Sequence, residues 1–402
     1  MSAEVPSFVS RRSFLRLAAV TAPILAEAHL AWAAASGQTL SPGMRAARRV
    51  HGGLETPPPG SVMINANENP LGPCAPARAA CAAMASQGGR YDFAQTAALT
   101  ETIGRVEGLN EDSIALYAGS SEPLHYSVLA FTGPSKPYVT ADPGYEAGMM
   151  AASYAGAKVV KVPLDRKTGA HDVKAMMAAG PDAGLFYICN PNNPTGTTTP
   201  HEEIAWALRN KPKGSILLID EAYIHFCDEP RSMDFVKSGE DVIVLRTFSK
   251  IYGMAGLRMG FAAGRPDLLA KLQTYGMNSL PITAAAAANA SLQHPEVVPE
   301  RKRINAEIRR ETFDWLDRQG YAHTPSVSNC FMLDTKRDAK QVIAAMQAKK
   351  IYIGRAWPTH VRITVGTALE MAAFRKAYAE VMQQPPQSAA GMLPTAPLSH
   401  LG

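Results

Sequence analysis

No Cys-x-x-Cys pair occurs in this chain, and no cysteine–histidine set has the spacing of a zinc site. The five cysteines, at positions 74, 81, 189, 227 and 330, are expected to be buried thiols without a catalytic role. Cys74 and Cys81 stand about two helical turns apart, too far to bridge if both stay helical. A phosphate loop of the form G-x-x-x-x-G-K-[ST] is missing, and no serine–histidine–aspartate set stands out as a hydrolytic triad. Charged residues make up only 19% of the chain and the net charge is +5. Without a lysine and arginine block or basic–aromatic interleaving, nucleic-acid binding is not expected. No apolar run has the length of a membrane span.

What is present describes a large globule. A chain of 402 residues with 46% hydrophobic content can bury a substantial core, and a larger plus a smaller domain is the expected partition. The first residues read differently. Ser10-Arg-Arg-Ser-Phe-Leu-Arg16 has the pattern of a twin-arginine export signal, followed by a short apolar run from Leu15 to Leu25. Ala33-Ala-Ala35 fits a small-residue cleavage site. Residues 1–35 are therefore expected to be removed, which gives a bacterial, periplasmic protein, or a cytoplasmic one if the signal is not processed. Residues 36–60, ending in Pro57-Pro-Pro59, read as an arm and linker, and 383–402 as a disordered tail with almost no charge.

Between them, short apolar runs alternate with helical segments. Strands are expected at Ile114–Tyr117, Pro137–Thr140, Lys158–Pro163, Leu185–Cys189, Ser215–Ile219 and Val242–Leu245. Such alternation predicts a mainly parallel sheet covered by helices, with ligands outside the strand ends. Polar groups gather at those ends. Gly119-Ser-Ser-Glu122 is a turn whose N–H groups and hydroxyls suit a phosphate. Asn190-Pro-Asn-Asn-Pro-Thr-Gly196 is a stiff loop. Asp220 ends a fully apolar strand, where a carboxylate is costly unless it meets a positive partner. Lys250 follows the last strand at Thr247-Phe-Ser249, and a buried strand end can strip hydration from its amine and free it to attack a carbonyl.

Ser249-Lys250 with Gly256-Leu-Arg-Met-Gly260 resembles the cofactor-lysine motif of the class I/II pyridoxal-phosphate aminotransferases, and most closely the histidinol-phosphate aminotransferase group. Met63-Ile-Asn-Ala-Asn-Glu-Asn-Pro-Leu-Gly-Pro73 resembles the substrate-side motif of that group, and the likeness runs from about Ile64 to Gly366. The resemblance implies an α/β protein of PLP fold type I: a large domain over 61–294 and a smaller α/β C-terminal domain over 295–382. It implies pyridoxal 5'-phosphate joined to Lys250, which then serves as general base and acid. Asp220 would keep the pyridine ring protonated. Tyr223 and Asn193 would hydrogen-bond the phenolic oxygen, and Tyr145 would stack on the ring. Ser120, Ser121, Glu122, Thr247, Ser249 and Arg258 would cradle the phosphate. Tyr91 would reach the phosphate of a neighbouring subunit, so a homodimer is implied.

On the substrate side, the resemblance implies that Arg362 takes the α-carboxylate as a bidentate fork, with Arg355 a second arginine and Asn67 nearby. Leu71 stands where the group usually carries a tyrosine that holds the substrate's phosphate. The implied activity is transfer of an amino group from an amino acid, or an amine like one, to a 2-oxo acid. Decarboxylation or racemisation on the same frame is the alternative, because these motifs bind cofactor and carboxylate without choosing the bond that breaks. A transaminase acting on a secreted metabolite in the envelope is a further alternative. No metal is expected.

Overall fold

The computed structural model describes residues 57–276 and 279–383. The expected signal, most of the arm and all but the first residue of the expected tail lie outside them. Among the described residues, those from Pro59 on form one compact unit built on two sheets.

The larger sheet has seven strands: β2 (Ile114–Tyr117), β3 (Tyr138–Asp142), β4 (Val159–Pro163), β5 (Leu185–Cys189), β6 (Ile216–Asp220), β7 (Val242–Thr247) and β8 (Gly260–Gly264). Their order is β2-β8-β7-β6-β5-β3-β4, and β8 alone runs against the rest. The central strands β5, β6 and β7 are buried at every residue, as their unbroken apolar sequences require of a sheet covered on both faces. Helices α1 (Ala75–Ala85) and α2 (Phe93–Glu107) precede the large sheet's first strand, and α3 (Ser121–Phe131), α4 (Ala147–Tyr154), α5 (Val173–Ala179) and α6 (His201–Asn210) connect parallel strands.

Register places the chemistry. Cys189 pairs with Asp220, and Asp220 with Leu245, so β5, β6 and β7 end side by side. The loops that leave those ends carry Asn193, Tyr223 and Lys250 to one rim.

The smaller sheet has the order β1-β10-β11-β9, built from β1 (Val62–Ile64), β9 (Cys330–Asp334), β10 (Ile351–Ala356) and β11 (His360–Thr364). Val62–Ile64 pairs in parallel with Ile351–Ile353 and belongs to the small sheet, although it precedes every strand of the large one. Ile64 is fully buried in the second core beside Phe331, Ile363 and Phe374. The motif that follows β1 is thereby tethered to the small sheet while it reaches toward the large one. A 22-residue helix, Val297–Arg318, joins the two cores, with Val297 packed in the first and Leu316 in the second.

All five cysteines are free; only Cys189 and Cys330 are buried, whereas Cys74, Cys81 and Cys227 are half-buried. The expectation that all five are buried thiols is corrected for those three. Among the described residues no helix is long and apolar enough to cross a membrane, and no group of histidine, cysteine, aspartate or glutamate could hold a metal.

Candidate active site

The floor of the site is Asp220, only 3% exposed at the end of β6. Tyr187 Oη on β5 donates to its Oδ2 at 2.9 Å, and the Ala222 N–H donates to Oδ1 at 3.1 Å. Burial raises the acid to about 6, against the Tyr187 and Ala222 bonds, which favour the carboxylate. At neutral pH it is therefore ionised, with a neutral donor on each oxygen.

Lys250 rises from the loop after β7. The loop is closed by Phe248 N–H to Met259 O at 3.0 Å and Met254 N–H to Phe248 O at 3.0 Å. The amine donates to Ala66 O at 3.4 Å and lies 5.6 Å from the centroid of the Tyr223 ring. Loss of hydration, then the positive charge of Arg362, holds the Lys250 ammonium down to about 8. The hydration effect anticipated from sequence is present.

A polar cradle borders this pair. Arg258 donates to Ser249 Oγ at 3.3 Å, to Ala255 O at 2.9 Å and to Ala118 O at 2.8 Å. Its own φ is 63°, a left-handed backbone unusual outside glycine. Thr247 Oγ1 bonds Ser249 Oγ at 2.9 Å. Gly119 has φ of 95°, and a Cβ there would stand 2.2 Å from Arg258 Nη2. Only a residue without a side chain admits the guanidinium. Ser120 and Ser121 open α3, where first-turn N–H groups lack helical acceptors. Ser121 Oγ lies 3.5 Å from Tyr145 Oη. The Glu122 carboxylate turns back to accept the Ala118 N–H at 3.1 Å, so its side chain braces the turn.

The small sheet supplies the opposite wall. Arg362 on β11 is buried and donates to Asn193 Oδ1 at 2.9 Å and Asn65 O at 2.6 Å. Asn67, also buried, donates from Nδ2 to Tyr223 Oη at 3.0 Å and to Cys330 Sγ at 3.2 Å. Asn329 Nδ2 in turn holds Asn67 O at 3.2 Å. One expected residue stands apart. Tyr91 is 79% exposed and stacks on Phe93, with ring centroids 6.4 Å apart. Arg355 belongs to β10, but its side chain lies outside the described residues. Leu71 is exposed and lines a cleft with Pro70, Phe226, Ile304 and Ile308.

Sequence reasoning missed Tyr187, Thr364 and the Ala66 carbonyl. Tyr187 had a signal: a phenol inside a wholly apolar strand needs a buried partner, and the nearest strand end carries an acid.

The family profile described as "Aminotransferase class I and II" matches residues 62–379. The chain belongs to that family. Histidinol-phosphate aminotransferase of Symbiobacterium thermophilum is 34% identical over 316 residues, which covers 76% of this chain and 86% of that protein. An aromatic amino acid aminotransferase of Thermobifida fusca is 33% identical over 322 residues, covering 78% and 88%. Among solved structures, the histidinol-phosphate aminotransferase of Sinorhizobium meliloti in complex with pyridoxal-5'-phosphate superposes with a TM-score of 0.75 at 26% identity, covering 86% of this chain and 95% of that one. This aminotransferase has the fold-type-I architecture anticipated from its sequence, and it is a pyridoxal-phosphate-dependent transaminase.

Proposed function

We propose that Lys250 carries the cofactor, with Asp220 beneath its ring nitrogen and Arg258 against its phosphate. The observation that supports this most is Asp220: a buried carboxylate, ionised at neutral pH, whose two oxygens receive only neutral donors. A protonated pyridine nitrogen is the cationic partner such a group lacks. The cradle agrees in chemistry, since Arg258, Ser249 Oγ and the first turn of α3 all offer donors to an anion. The residues present thus fit pyridoxal phosphate. When bound, it supplies an aldehyde for covalent attachment and a cationic ring that absorbs charge from the substrate carbon.

The protein's own groups do the rest. Lys250, held down to about 8, can take a proton from the substrate carbon and return it near neutral pH. With the cofactor bound, Asp220 would keep the ring nitrogen charged, Tyr223 and Asn193 would serve its phenolic oxygen, and Tyr145 would cover the ring. Arg362, fixed by Asn193 and Asn65, takes the substrate carboxylate and turns the α-hydrogen toward Lys250. The amino donor is an amino acid or an amine like one, the acceptor a 2-oxo acid. The relatives named for histidinol phosphate and for aromatic amino acids motivate both donors as first candidates.

The Lys250→Ala protein tests this reading. It should still bind cofactor without covalent attachment and should lose turnover; full activity would remove Lys250 from the mechanism. A donor screen following the cofactor's colour change would then rank substrates.

Three further parts of the proposal rest on sequence. The chain divides near residue 295 into a larger and a smaller domain. The twin-arginine segment sends it to the periplasm, which fractionation would test: unprocessed cytoplasmic protein would overturn it. The active form is a homodimer in which Tyr91 reaches the neighbouring site, and a monomeric mass in solution with full activity would contradict that.

A further inference from the structure

We infer that Asn67 is a positioning residue: it acts through Tyr223, fixing the direction in which the Tyr223 hydroxyl donates. The inference rests on the Lys250 reading above. It begins with hydrogen-bond bookkeeping on buried groups.

The Asn67 backbone N–H donates to Thr364 Oγ1 at 2.9 Å, and Thr364 Oγ1 donates to Asn67 Oδ1 at 3.1 Å. Both residues are almost fully buried, at 1% and 2% exposure. Turning the Asn67 amide over would put its nitrogen on Thr364 and leave the threonine hydroxyl without this acceptor. A stranded buried donor costs about 1–3 kcal/mol. The amide nitrogen therefore faces the other way, onto Tyr223 Oη at 3.0 Å and Cys330 Sγ at 3.2 Å. Since Asn67 donates to the phenol oxygen, the tyrosine proton must leave in a different direction. On the Lys250 reading, the acceptor left to it is the cofactor's phenolic oxygen; the Lys250 amine itself lies over the face of the Tyr223 ring, 5.6 Å from its centroid. Asn67 adopts φ of 53°, a left-handed conformation that asparagine tolerates better than most residues, so the clamp is set by the turn after β1.

The relay is therefore backbone N–H of Asn67, hydroxyl of Thr364, amide of Asn67, hydroxyl of Tyr223. It links β11 of the small sheet to the loop after β6 of the large one. A donor at the ring's phenolic oxygen draws charge from it and makes the neighbouring Lys250 nitrogen harder to protonate. Reversing Tyr223 removes that donor.

Asn67→Asp keeps the shape but replaces the donating nitrogen by an acceptor, so Tyr223 would donate to residue 67. The readout is the pH titration of the visible absorbance of the cofactor-loaded protein. Asn67→Asp should raise its midpoint by about one to two units, as should Tyr223→Phe, since each removes one charge-assisted hydrogen bond. The double variant should move no further than either single one. Thr364→Val should shift the titration in the same direction, because nothing then orients the amide, while Thr364→Ser should titrate like the native protein. A native titration in Asn67→Asp or Thr364→Val, or full additivity in the double variant, would overturn the inference. If the native protein itself never develops the absorbance, the Lys250 reading falls and takes this inference with it; a normal native band with unmoved variants overturns this inference alone.

Discussion

Asp220 ties stability to pH in a direction that can be worked out. Burial raises its folded value to about 6 from an ordinary 3.8. The folded protein therefore holds a proton that the unfolded chain has released between those values. Its stabilising contribution is full below the ordinary value and is lost as pH rises through about 6. Asp220→Asn should remove this dependence. Cofactor-free native protein should lose about 2 kcal/mol relative to the variant between pH 4 and 6. Urea unfolding at the two pH values checks it, and parallel curves for the two proteins would contradict it. Arg258 makes a second residue-scale case. Arg258→Ala should weaken cofactor binding by about 1.5–3 kcal/mol, the worth of hydrogen bonds to a charged group. Equilibrium dialysis measures this, and an unchanged dissociation constant would exclude Arg258 from the cradle. At this scale the sequence was informative wherever a residue type is unusual for its place. An acid ending an apolar strand and a lysine at a strand exit both stood out. Thr364 did not, because its partner lies nearly three hundred residues away.

Among the elements, β6 and β7 are joined behind the site by a buried ion pair. Arg246 Nε meets Glu221 Oε2 at 2.7 Å, and Glu221 Oε1 accepts the Ser232 N–H at 2.7 Å. Glu221 directly follows Asp220, so the pair also anchors the strand end that presents the acid. Glu221→Gln should destabilise the protein by about 3–5 kcal/mol, because the arginine would be left buried without its counter-charge. Denaturant titration tests it; a loss under about 1 kcal/mol would mean that Glu107, 3.5 Å away, neutralises Arg246 alone. The three central strands were legible from unbroken apolar runs bounded by turn residues. β8 was not: Gly-Phe-Ala-Ala-Gly carries almost no β-forming side chain, and at Gly260 the Arg246 carbonyl and the Gly119 backbone lie too close for a side chain. Asp92 caps α2 by accepting the Ala94 N–H.

For the molecule as a whole, the site is assembled from both sheets. Asp220 and Lys250 come from the large one, Asn67 and Arg362 from the small one and the segment after it. The sequence order hides this, since β1 precedes the large sheet yet pairs with β10 near the other end of the chain. The early strand's allegiance was not legible in the sequence, because pairing between distant segments leaves no local mark. A ligand that bridges both walls binds only the folded state. At a cofactor concentration one hundred times the dissociation constant, native protein should gain about 2.7 kcal/mol of stability. The most direct test of the central claim is borohydride reduction of the cofactor-loaded protein, followed by peptide mass analysis. The account predicts a single pyridoxyl-phosphate adduct on Lys250. No adduct, or one on another lysine while Lys250 stays unmodified, would contradict it.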